Sequence, residues 1–574
     1  MDGPVVPGQR LGWRSPESLI FMLLLVLHLV PIWSLRMFPT QDGPSHQAVA
    51  QVLRLYDLPE GEFLHEYYLR NREASPNEFI FFLMARVLGF VPVPAAEKIL
   101  LSVYVLLLPL SVLYALRAVA PRDAPGTVAL AALAFPFTYN FLMQMGFFNF
   151  CFSLAAFFFA LGFWWRRQGR LGLLNGTVFA VLVLWVYFCH VVSMVMLLAV
   201  VGTVAAWRVL VDFRGRSSEV SAAGALREGF RRWLVVPLLA FGPALALMAW
   251  FVGQRVDARV TTMPLSVKVK HLGGLYSLVS LDANTVALSA VLAALFAGVT
   301  AVLVARRLRR GGLLAADGLF LAVLVATVAY FAAPSEMSGG GFLVHRLNLY
   351  PFLLLIPWFA TFDLGRRAAL GIQAMAALIA VALLSLFWPR WEKLNGELSE
   401  YLTAADRIEA GSTLLPLVFD HRGKTPEGTI AFRTRPFLHA SGYIAARKPV
   451  VDLALYEAKE SYFPLLFRPD RDPYTRIGIG PGLGLEGEPP RVDFLRYPEL
   501  TGGRVDYVLL SGLDAAPPDH PDVRSIQNQL AAAYEPVYVS PRRLVRLYRH
   551  REAAGFMAAR AKTATGAEIL AASR

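Results

Sequence analysis

The stretch LIFMLLLVLHLVPIW, residues 19–33, decides the fold class, and FPTQDGPSHQAVAQVLRLYD, residues 38–57, follows it almost at once. The first stretch has most of the length that a helix needs to cross the hydrocarbon core of a bilayer, which is about 20 residues. Its basic flank resembles a signal peptide, but no small-x-small cleavage site follows, so we predict a retained first membrane helix. The second stretch places a carboxylate, Asp42, and an imidazole, His46, where that helix ends.

The composition is that of a membrane protein rather than a soluble one. Of 574 residues, 56% are hydrophobic and only 17% are charged. Of the net charge of +13, residues 1–388 carry +11 and residues 389–574 carry +2. Because the excess lies in the apolar part, it indicates membrane topology and not a nucleic-acid partner. The two cysteines, Cys151 and Cys189, lie in apolar runs and offer no disulfide framework.

Apolar runs of sufficient length predict eleven membrane spans in the first 388 residues. They lie at 18–36, 98–116, 125–143, 147–165, 171–188, 190–207, 233–252, 284–305, 313–333, 347–363 and 369–388. A twelfth apolar segment, 77–91, is short, contains Arg86 and is bounded by Pro92 and Pro94. Counting it as a span would reverse the later loops, so we predict an interfacial or re-entrant segment within the first outer loop, residues 37–97.

Arginines in alternate loops give the sidedness. They are Arg10 and Arg14; Arg117 and Arg122; Arg166, Arg167 and Arg170; those between 208 and 232; the RRLRR run at 306–310; and Arg366 and Arg367. The positive-inside rule puts these loops and the N-terminus in the cytoplasm. We therefore predict a multi-pass protein of the cell's inner, or plasma, membrane whose C-terminal region is extracytoplasmic.

After residue 388 the pattern changes to that of a mixed α/β domain. An amphipathic helix at 391–408 precedes strand candidates at 414–419, 449–455, 505–511, 536–540 and 544–550, with helical runs near 436–447 and 522–534. We predict an α/β domain over 389–551 and a loose tail over 552–574.

The DGPSH sequence is the first candidate for chemistry. Asp42 precedes Pro44, as a helix cap precedes a first turn, and the residues that follow predict a short amphipathic helix along the outer membrane surface. One interpretation is that Asp42 only caps this helix and that His46 is a surface residue. The other is that Asp42 is a fixed general base or metal ligand with His46 one turn away.

Further polar residues lie at the outer ends of predicted spans. Gln144 and Asn149 flank the turn between the third and fourth spans, and His190 follows the fifth. Hydrogen bonding between helices, or packing in the case of His190, explains them as well as substrate contact does.

Arg346 is the candidate that sidedness alone does not explain. It follows Gly339, Gly341 and His345 at the start of a span on the outer face, where a positive charge opposes both the helix dipole and the positive-inside rule. A phosphate partner would resolve both conflicts, and a snorkelling anchor is the alternative. A second basic cluster in an outer loop has the same two interpretations: Lys268, Lys270 and His271.

This architecture resembles the GT-C superfamily of membrane glycosyltransferases. The resemblance covers residues 18–388 and rests on Asp42 in QDGPSH, the turn MGFFNF and Arg346 in HRLNLYPF, and the chain is also similar to bacterial membrane proteins that share a DGPxH opening. It implies transfer of a sugar from a polyprenyl-phosphate donor to a hydroxyl of a glycan, lipid or protein acceptor, with inversion and with Asp42 as base. Gln144 and Asn149 stand where family members carry a second acid. Mg²⁺ or Mn²⁺ is therefore an optional cofactor, with Asp42 and His46 as its ligands if one binds.

A non-catalytic role is the competing hypothesis. A transporter is expected to carry ionisable residues near the middle of the bilayer and broken helices in paired halves, whereas the polar residues here lie at outer ends. A scaffold for envelope assembly fits the same sequence. P-loop, HExxH and GxSxG motifs are absent from the sequence.

Overall fold

The structure is a computed structural model that describes residues 15–121, 126–214, 229–254, 260–337, 340–425, 428–480 and 484–553. The predicted tail from residue 554 onward, Arg10, Arg14, Arg122 and Gly339 lie outside these ranges. Elements are numbered over the described residues.

Twenty α-helices are described. In the membrane part they are α1 Pro16–Ser34, α2 Gly43–Leu55, α3 Phe79–Val87, α4 Val93–Val119, α5 Thr127–Ala131, α6 Phe141–Gln144, α7 Phe148–Arg166, α8 Leu173–Cys189, α9 Val191–Arg214, α10 Val236–Leu239, α11 Gly242–Gly253, α12 Leu265–Gly273, α13 Thr285–Arg310, α14 Asp317–Ala332 and α15 Leu343–Phe359. The helices that follow are α16 Arg366–Tyr401, α17 Gly442–Arg447, α18 Pro473–Arg476, α19 Tyr497–Thr501 and α20 Pro521–Ala533.

Each of the eleven apolar stretches coincides with a helix or a helix pair. Among the described residues, six helices are long and apolar enough to cross a membrane. Arg231–Leu239 and α11 are bent by 52° relative to each other, and they give a seventh span if the pair counts as one. Four shorter apolar helices cover the remaining stretches, so eleven spans stays a prediction. Helix α3 has nine residues, or about 14 Å at 1.5 Å per residue, and is too short to cross.

A mixed five-stranded sheet follows α16. Within the described ranges there are nine strands: β1 Tyr68–Arg70, β2 Thr413–Val418, β3 Lys424–Thr425, β4 Gly428–Thr429, β5 Val451–Asp452, β6 Leu465–Phe467, β7 Tyr507–Ser511, β8 Tyr534–Val539 and β9 Val545–His550. The sheet order is β5-β2-β7-β9-β8, with β2 parallel to β5 and β7, and β9 antiparallel to β7 and β8. All five strand candidates from the sequence lie in this sheet.

The C-terminal region is continuous with the membrane part. Helix α16 runs unbroken through the expected boundary at residue 389, and Trp391 and Leu394 on its extension are fully buried. Strand β1 of the first outer loop pairs antiparallel with β6, so two segments separated by most of the chain share a ladder.

The prediction that α2 lies along the membrane surface is wrong. Every residue of α2 except Arg54 is buried, because α17 packs on one side of it and the helix bundle on the other. A Cβ on Gly442 of α17 would lie 2.4 Å from the carbonyl carbon of Pro44, which is closer than two such atoms can approach. The absence of a side chain at Gly442 therefore permits this close packing.

The helix ends around α2 are the ends opposite to the arginine clusters. Glu97 of α4 and Phe148 of α7 lie against Gly43 at the start of α2. The far ends of the same two helices carry Arg117 and Arg166. At the far end of α1, Glu17 accepts a hydrogen bond of 2.6 Å from Arg366. The arginines therefore gather at one end of the bundle, and Asp42 lies at the other.

Candidate active site at the start of helix α2

Asp42 occupies the N-cap position of α2 but does not cap it. Its side chain makes no hydrogen bond to the first turn, and only 3% of its surface is exposed. Its main-chain N–H donates to the carbonyl oxygen of Met145, at 3.1 Å. Gly146 has a φ of +87°, and a Cβ there would lie 2.8 Å from the Asp42 nitrogen. The tight turn after α6 thus holds Asp42 from behind and leaves the carboxylate for other partners.

The partners of the Asp42 carboxylate come largely from the C-terminal region. Oδ2 accepts a hydrogen bond from the Tyr456 hydroxyl at 3.3 Å, and Oδ1 accepts one from Gln41 Nε2 at 3.1 Å. His439 Nε2 lies 3.8 Å from Oδ1. Tyr456 begins a short 3₁₀ segment, Tyr456–Lys459, which we call the Tyr456 turn.

Burial raises the pKa of Asp42 to about 7. The negative charge of Glu486 acts in the same direction. The hydrogen bonds from Gln41 and Tyr456 and the positive charge of Arg346 oppose this rise. A carboxylate whose pKa is near neutral can accept a proton in the working pH range, which is what a general base requires.

His46 faces a different carboxylate. Its Nε2 lies 3.5 Å from Glu457 Oε1, and its ring packs edge-on against Phe81 and Phe148. Ser45 Oγ donates to the same Glu457 oxygen at 2.6 Å. Burial lowers the pKa of His46 to about 3, so the imidazole is neutral at physiological pH.

Arg346 lies in the first turn of α15, close enough to Asp42 for its charge to lower the pKa of that carboxyl. The guanidinium lies over the ring of Phe147, 4.8 Å from its centroid, and Nη1 donates to the carbonyl oxygen of Gly341. Nε is buried without a hydrogen-bond partner among the described residues, although the side chain as a whole is half-buried. Phe147 directly follows Met145 and Gly146, which contact Asp42, so Asp42 and Arg346 are placed at the same turn, residues 145–147.

The two lysines of the second basic cluster, Lys268 and Lys270, have different surroundings. Lys268 Nζ donates to the carbonyl oxygens of Phe331 and Ala333, at 2.7 and 2.6 Å. Lys270 is exposed.

His271 and His345 lie beside each other. Their ring centroids are 5.5 Å apart, and the His271 ring stacks on Tyr276 with 4.3 Å between the centroids. His345 Nε2 lies 2.8 Å from Arg433 Nη2, which fastens the C-terminal region to α15.

The polar residues at the outer ends of the predicted spans make hydrogen bonds within the protein. Asn149 caps α3, since its Oδ1 accepts from the Ile80 N–H at 2.9 Å and its Nδ2 donates to the Asn77 carbonyl oxygen at 2.8 Å. Gln144 Oε1 accepts from Trp391 Nε1 at 3.3 Å. His190 Nδ1 accepts from the main-chain N–H of Val192 at 3.2 Å, and its ring packs on Phe150.

The donor set does not fit a metal ion. Among the described residues, no group of three or more His, Cys, Asp and Glu side chains could hold one. Asp42 and His46, the two expected ligands, turn to Tyr456 and Glu457 respectively.

Sequence reasoning missed four side chains around DGPSH. Tyr456, Glu457 and His439 come from the C-terminal region, and Glu97 comes from α4, where a Cβ on Gly43 would lie 2.4 Å from its Oε1. Glu97 directly precedes the predicted span at 98–116, and this position carried the only hint, because an acid at the end of a membrane helix requires a reason. The other three carried no local signal.

Comparison with known proteins adds a distant structural likeness. No protein-family model and no curated protein sequence matches the chain. The chain is similar in structure to the arabinofuranosyltransferase AftD from Mycobacteria, with 14% sequence identity and a TM-score of 0.45 over 92% of this chain. It spans 40% of the length of that protein. A likeness at this level does not establish a shared activity.

Proposed function

We propose that this chain is an integral membrane glycosyltransferase that moves a sugar from a polyprenyl-phosphate donor to an acceptor hydroxyl with inversion. One observation carries the proposal: a buried carboxylate, Asp42, and a half-buried guanidinium, Arg346, are placed at the same turn, residues 145–147, at a single end of an apolar helix bundle. The GT-C resemblance of QDGPSH and HRLNLYPF supports the same assignment.

Asp42 acts as the base. It accepts the proton of the acceptor hydroxyl while that oxygen bonds to the anomeric carbon, and the bond from that carbon to the phosphate oxygen breaks. The electron pair leaves with the lipid phosphate. The pKa of Asp42, about 7, leaves a substantial ionised fraction at neutral pH and still allows proton uptake.

Arg346 stabilises the leaving phosphate. Its Nε–H has no partner among the described residues, and a phosphate oxygen is the acceptor that a buried guanidinium donor suits best. Phosphate is a good leaving group, so positive charge suffices and no carboxylic acid has to protonate it. The donor's polyprenyl chain would lie among the apolar helices.

The site is assigned to the outer face of the inner membrane, with the N-terminus cytoplasmic and the C-terminal region extracytoplasmic. The separation of the arginine-rich helix ends from the Asp42 end supports this orientation under the positive-inside rule. Cysteine labelling of intact cells tests it. A cysteine replacing exposed Glu499 should react with a membrane-impermeant maleimide, and one replacing Arg309 should not.

Turnover by the purified protein in lipid nanodiscs tests the activity. Wild type, Asp42→Asn and Lys270→Ala are incubated with a panel of radiolabelled polyprenyl-phosphate sugars, and release of polyprenyl phosphate is measured. We expect turnover by wild type and Lys270→Ala and a loss of at least a hundredfold for Asp42→Asn, since the amide cannot accept the proton. Equal turnover by Asp42→Asn would remove Asp42 from the base role. No turnover of any donor by wild type would favour the scaffold hypothesis.

A further inference from the structure

Glu457 has a buried atom that the mechanism above does not use. The side chain is 0% exposed, and its Oε1 accepts from Ser45 Oγ at 2.6 Å. Its Oε2 has no hydrogen-bond partner among the described residues. A buried carboxyl oxygen with no partner carries a desolvation cost, so its presence calls for a bound group or water.

His46 presents a second such atom beside the first. Its Nε2 lies 3.5 Å from Glu457 Oε1, and within the described part of the chain its Nδ1 also has no partner. Both side chains are more than nine-tenths buried. The distance between Glu457 Oε2 and His46 Nδ1 is at most the sum of three lengths: the 3.5 Å contact, the width of a carboxyl group and the width of an imidazole ring. Neighbouring hydroxyl groups of one sugar can bridge such a span.

The electrostatics of this pair select a neutral ligand. Burial raises the pKa of Glu457 well above its usual range, and the charge of Asp42 raises it further. Burial also keeps His46 neutral. Because the raised pKa favours the protonated form of Glu457, the carboxyl can donate where the neutral imidazole accepts, and this combination matches hydroxyl groups. A carboxylate would lose its hydration there and would also meet the negative charge of Asp42.

The pair is held at a fixed distance from the base. Ser45 Oγ, which donates to Glu457, also lies 2.9 Å from the main-chain oxygen of Asp42. On the other side, Tyr456 bonds the Asp42 carboxylate and is the chain neighbour of Glu457. A hydroxyl group held by Glu457 and His46 would therefore leave an adjacent hydroxyl near Asp42.

We propose that Glu457 and His46 form the acceptor subsite of this enzyme and that it takes an uncharged, hydroxyl-rich glycan through neighbouring hydroxyl groups. This assignment rests on the proposed transferase function and narrows its acceptor to a carbohydrate. Arg346 serves the anionic donor, and the Glu457 subsite serves the neutral acceptor. Glu457 binds and takes no part in bond exchange.

The test separates donor chemistry from acceptor binding. Full-length wild type, Glu457→Leu, Glu457→Gln and the exposed control Glu499→Leu are compared in nanodiscs, using the donor that wild type turns over and neutral methyl glycosides of hexoses and pentoses as acceptor probes. Two rates are measured: donor hydrolysis without acceptor, and transfer to the glycoside. Thermal unfolding is followed for each variant.

We expect Glu457→Leu to raise the KM for the glycoside at least tenfold and to leave donor hydrolysis and donor KM within about twofold of wild type. Glu457→Gln, which keeps a donor and an acceptor, should recover most of the transfer, and Glu499→Leu should match wild type. The assignment is overturned if Glu457→Leu reduces hydrolysis and transfer equally, or if Glu457→Gln fails as badly as Glu457→Leu although both unfold at the wild-type temperature. It is also overturned if wild type prefers serine peptides or amino-sugar acceptors. Absence of both donor hydrolysis and transfer by wild type would instead refute the transferase function itself.

Discussion

Arg346 and Lys268 lie at the same end of the helix bundle, and their sequence contexts gave both the same two interpretations, phosphate binding or a snorkelling anchor. The structure treats them differently. Lys268 is 5% exposed and its ammonium group serves the carbonyl oxygens that end α14, whereas Arg346 keeps a buried N–H without a partner in the described chain. A cation satisfied by main-chain carbonyls stabilises the fold, and one with an unused donor is available to a ligand. The hydrogen-bond inventory therefore separates the two roles where charge and location do not.

The strongest test of this contrast removes the charge from Arg346. We expect Arg346→Met to lower polyprenyl-phosphate release by about a hundredfold, because an oriented donor to the departing oxygens is typically worth that much. The unfolding temperature should change little, since the lost contacts are a hydrogen bond to Gly341 and ring packing. Steady-state kinetics in nanodiscs measures the rate of polyprenyl-phosphate release. Tryptophan fluorescence during heating measures the unfolding temperature. A variant that keeps wild-type turnover would make Arg346 a membrane anchor.

A second prediction concerns pH and uses the electrostatic partners of Asp42. Because the base must be ionised, kcat/KM should fall about tenfold per unit as pH drops below the Asp42 pKa of about 7, and level off above it. Glu486 raises this pKa and Arg346 lowers it. The acidic limb of the kcat/KM profile should therefore move to lower pH in Glu486→Gln. In Arg346→Met, the residual activity should show this limb at higher pH. Shifts in the same direction for both variants would contradict the assignment.

The third prediction applies to Lys268. Replacing it with methionine keeps the apolar stem and removes two charge-assisted hydrogen bonds to Phe331 and Ala333. We expect the free energy of unfolding to fall by about 3 kcal/mol while turnover per folded molecule stays within about twofold. Chemical denaturation monitored by tryptophan fluorescence measures the first, and turnover normalised to folded protein the second. A hundredfold loss of turnover with normal stability would place Lys268 in the donor site.

The smallest effect is expected at Lys270. This exposed side chain belongs to the same basic cluster as Lys268. Lys270→Ala should leave unfolding within about 0.5 kcal/mol of wild type, as for most surface substitutions. Turnover should also be unchanged at two donor concentrations, one below and one above KM. A selective loss at the lower concentration would show that this lysine attracts the anionic donor.

The elements of the fold were predictable because their signals are local. Each apolar run carries its own length and hydropathy, and each of the five sheet strands alternates or is bounded by Pro, Gly and Asp within a few residues. Asp42 and Arg346 could be singled out for the same reason. Asp42 stands at a cap position before Pro44, which fulfils a rule for helix starts. Arg346 is a cation at the outer start of a helix, which violates one. Both rules apply within a single helical turn.

The partners of α2 could not be predicted. Its amphipathic pattern reveals a polar face but not what that face contacts, and the sequence interpretation assigned it to water. In the structure Ser45 and His46 face Glu457, another polar protein surface. Periodicity does not distinguish these two environments. His439 and the Tyr456 turn dock through contacts between residues about 400 positions apart, which no local rule addresses.

The ladder between β1 and β6 has a consequence for how the protein is made. Ser45 and Glu457 are 412 residues apart, and the ribosome produces the first long before the second. For most of its synthesis after Asp42 is made, a growing chain therefore lacks Tyr456, Glu457 and the closing strand β6. The proposed acceptor subsite is completed last, so we expect a truncated translation product to hold the proposed base, Asp42, and the proposed phosphate ligand, Arg346, but to lack acceptor selectivity.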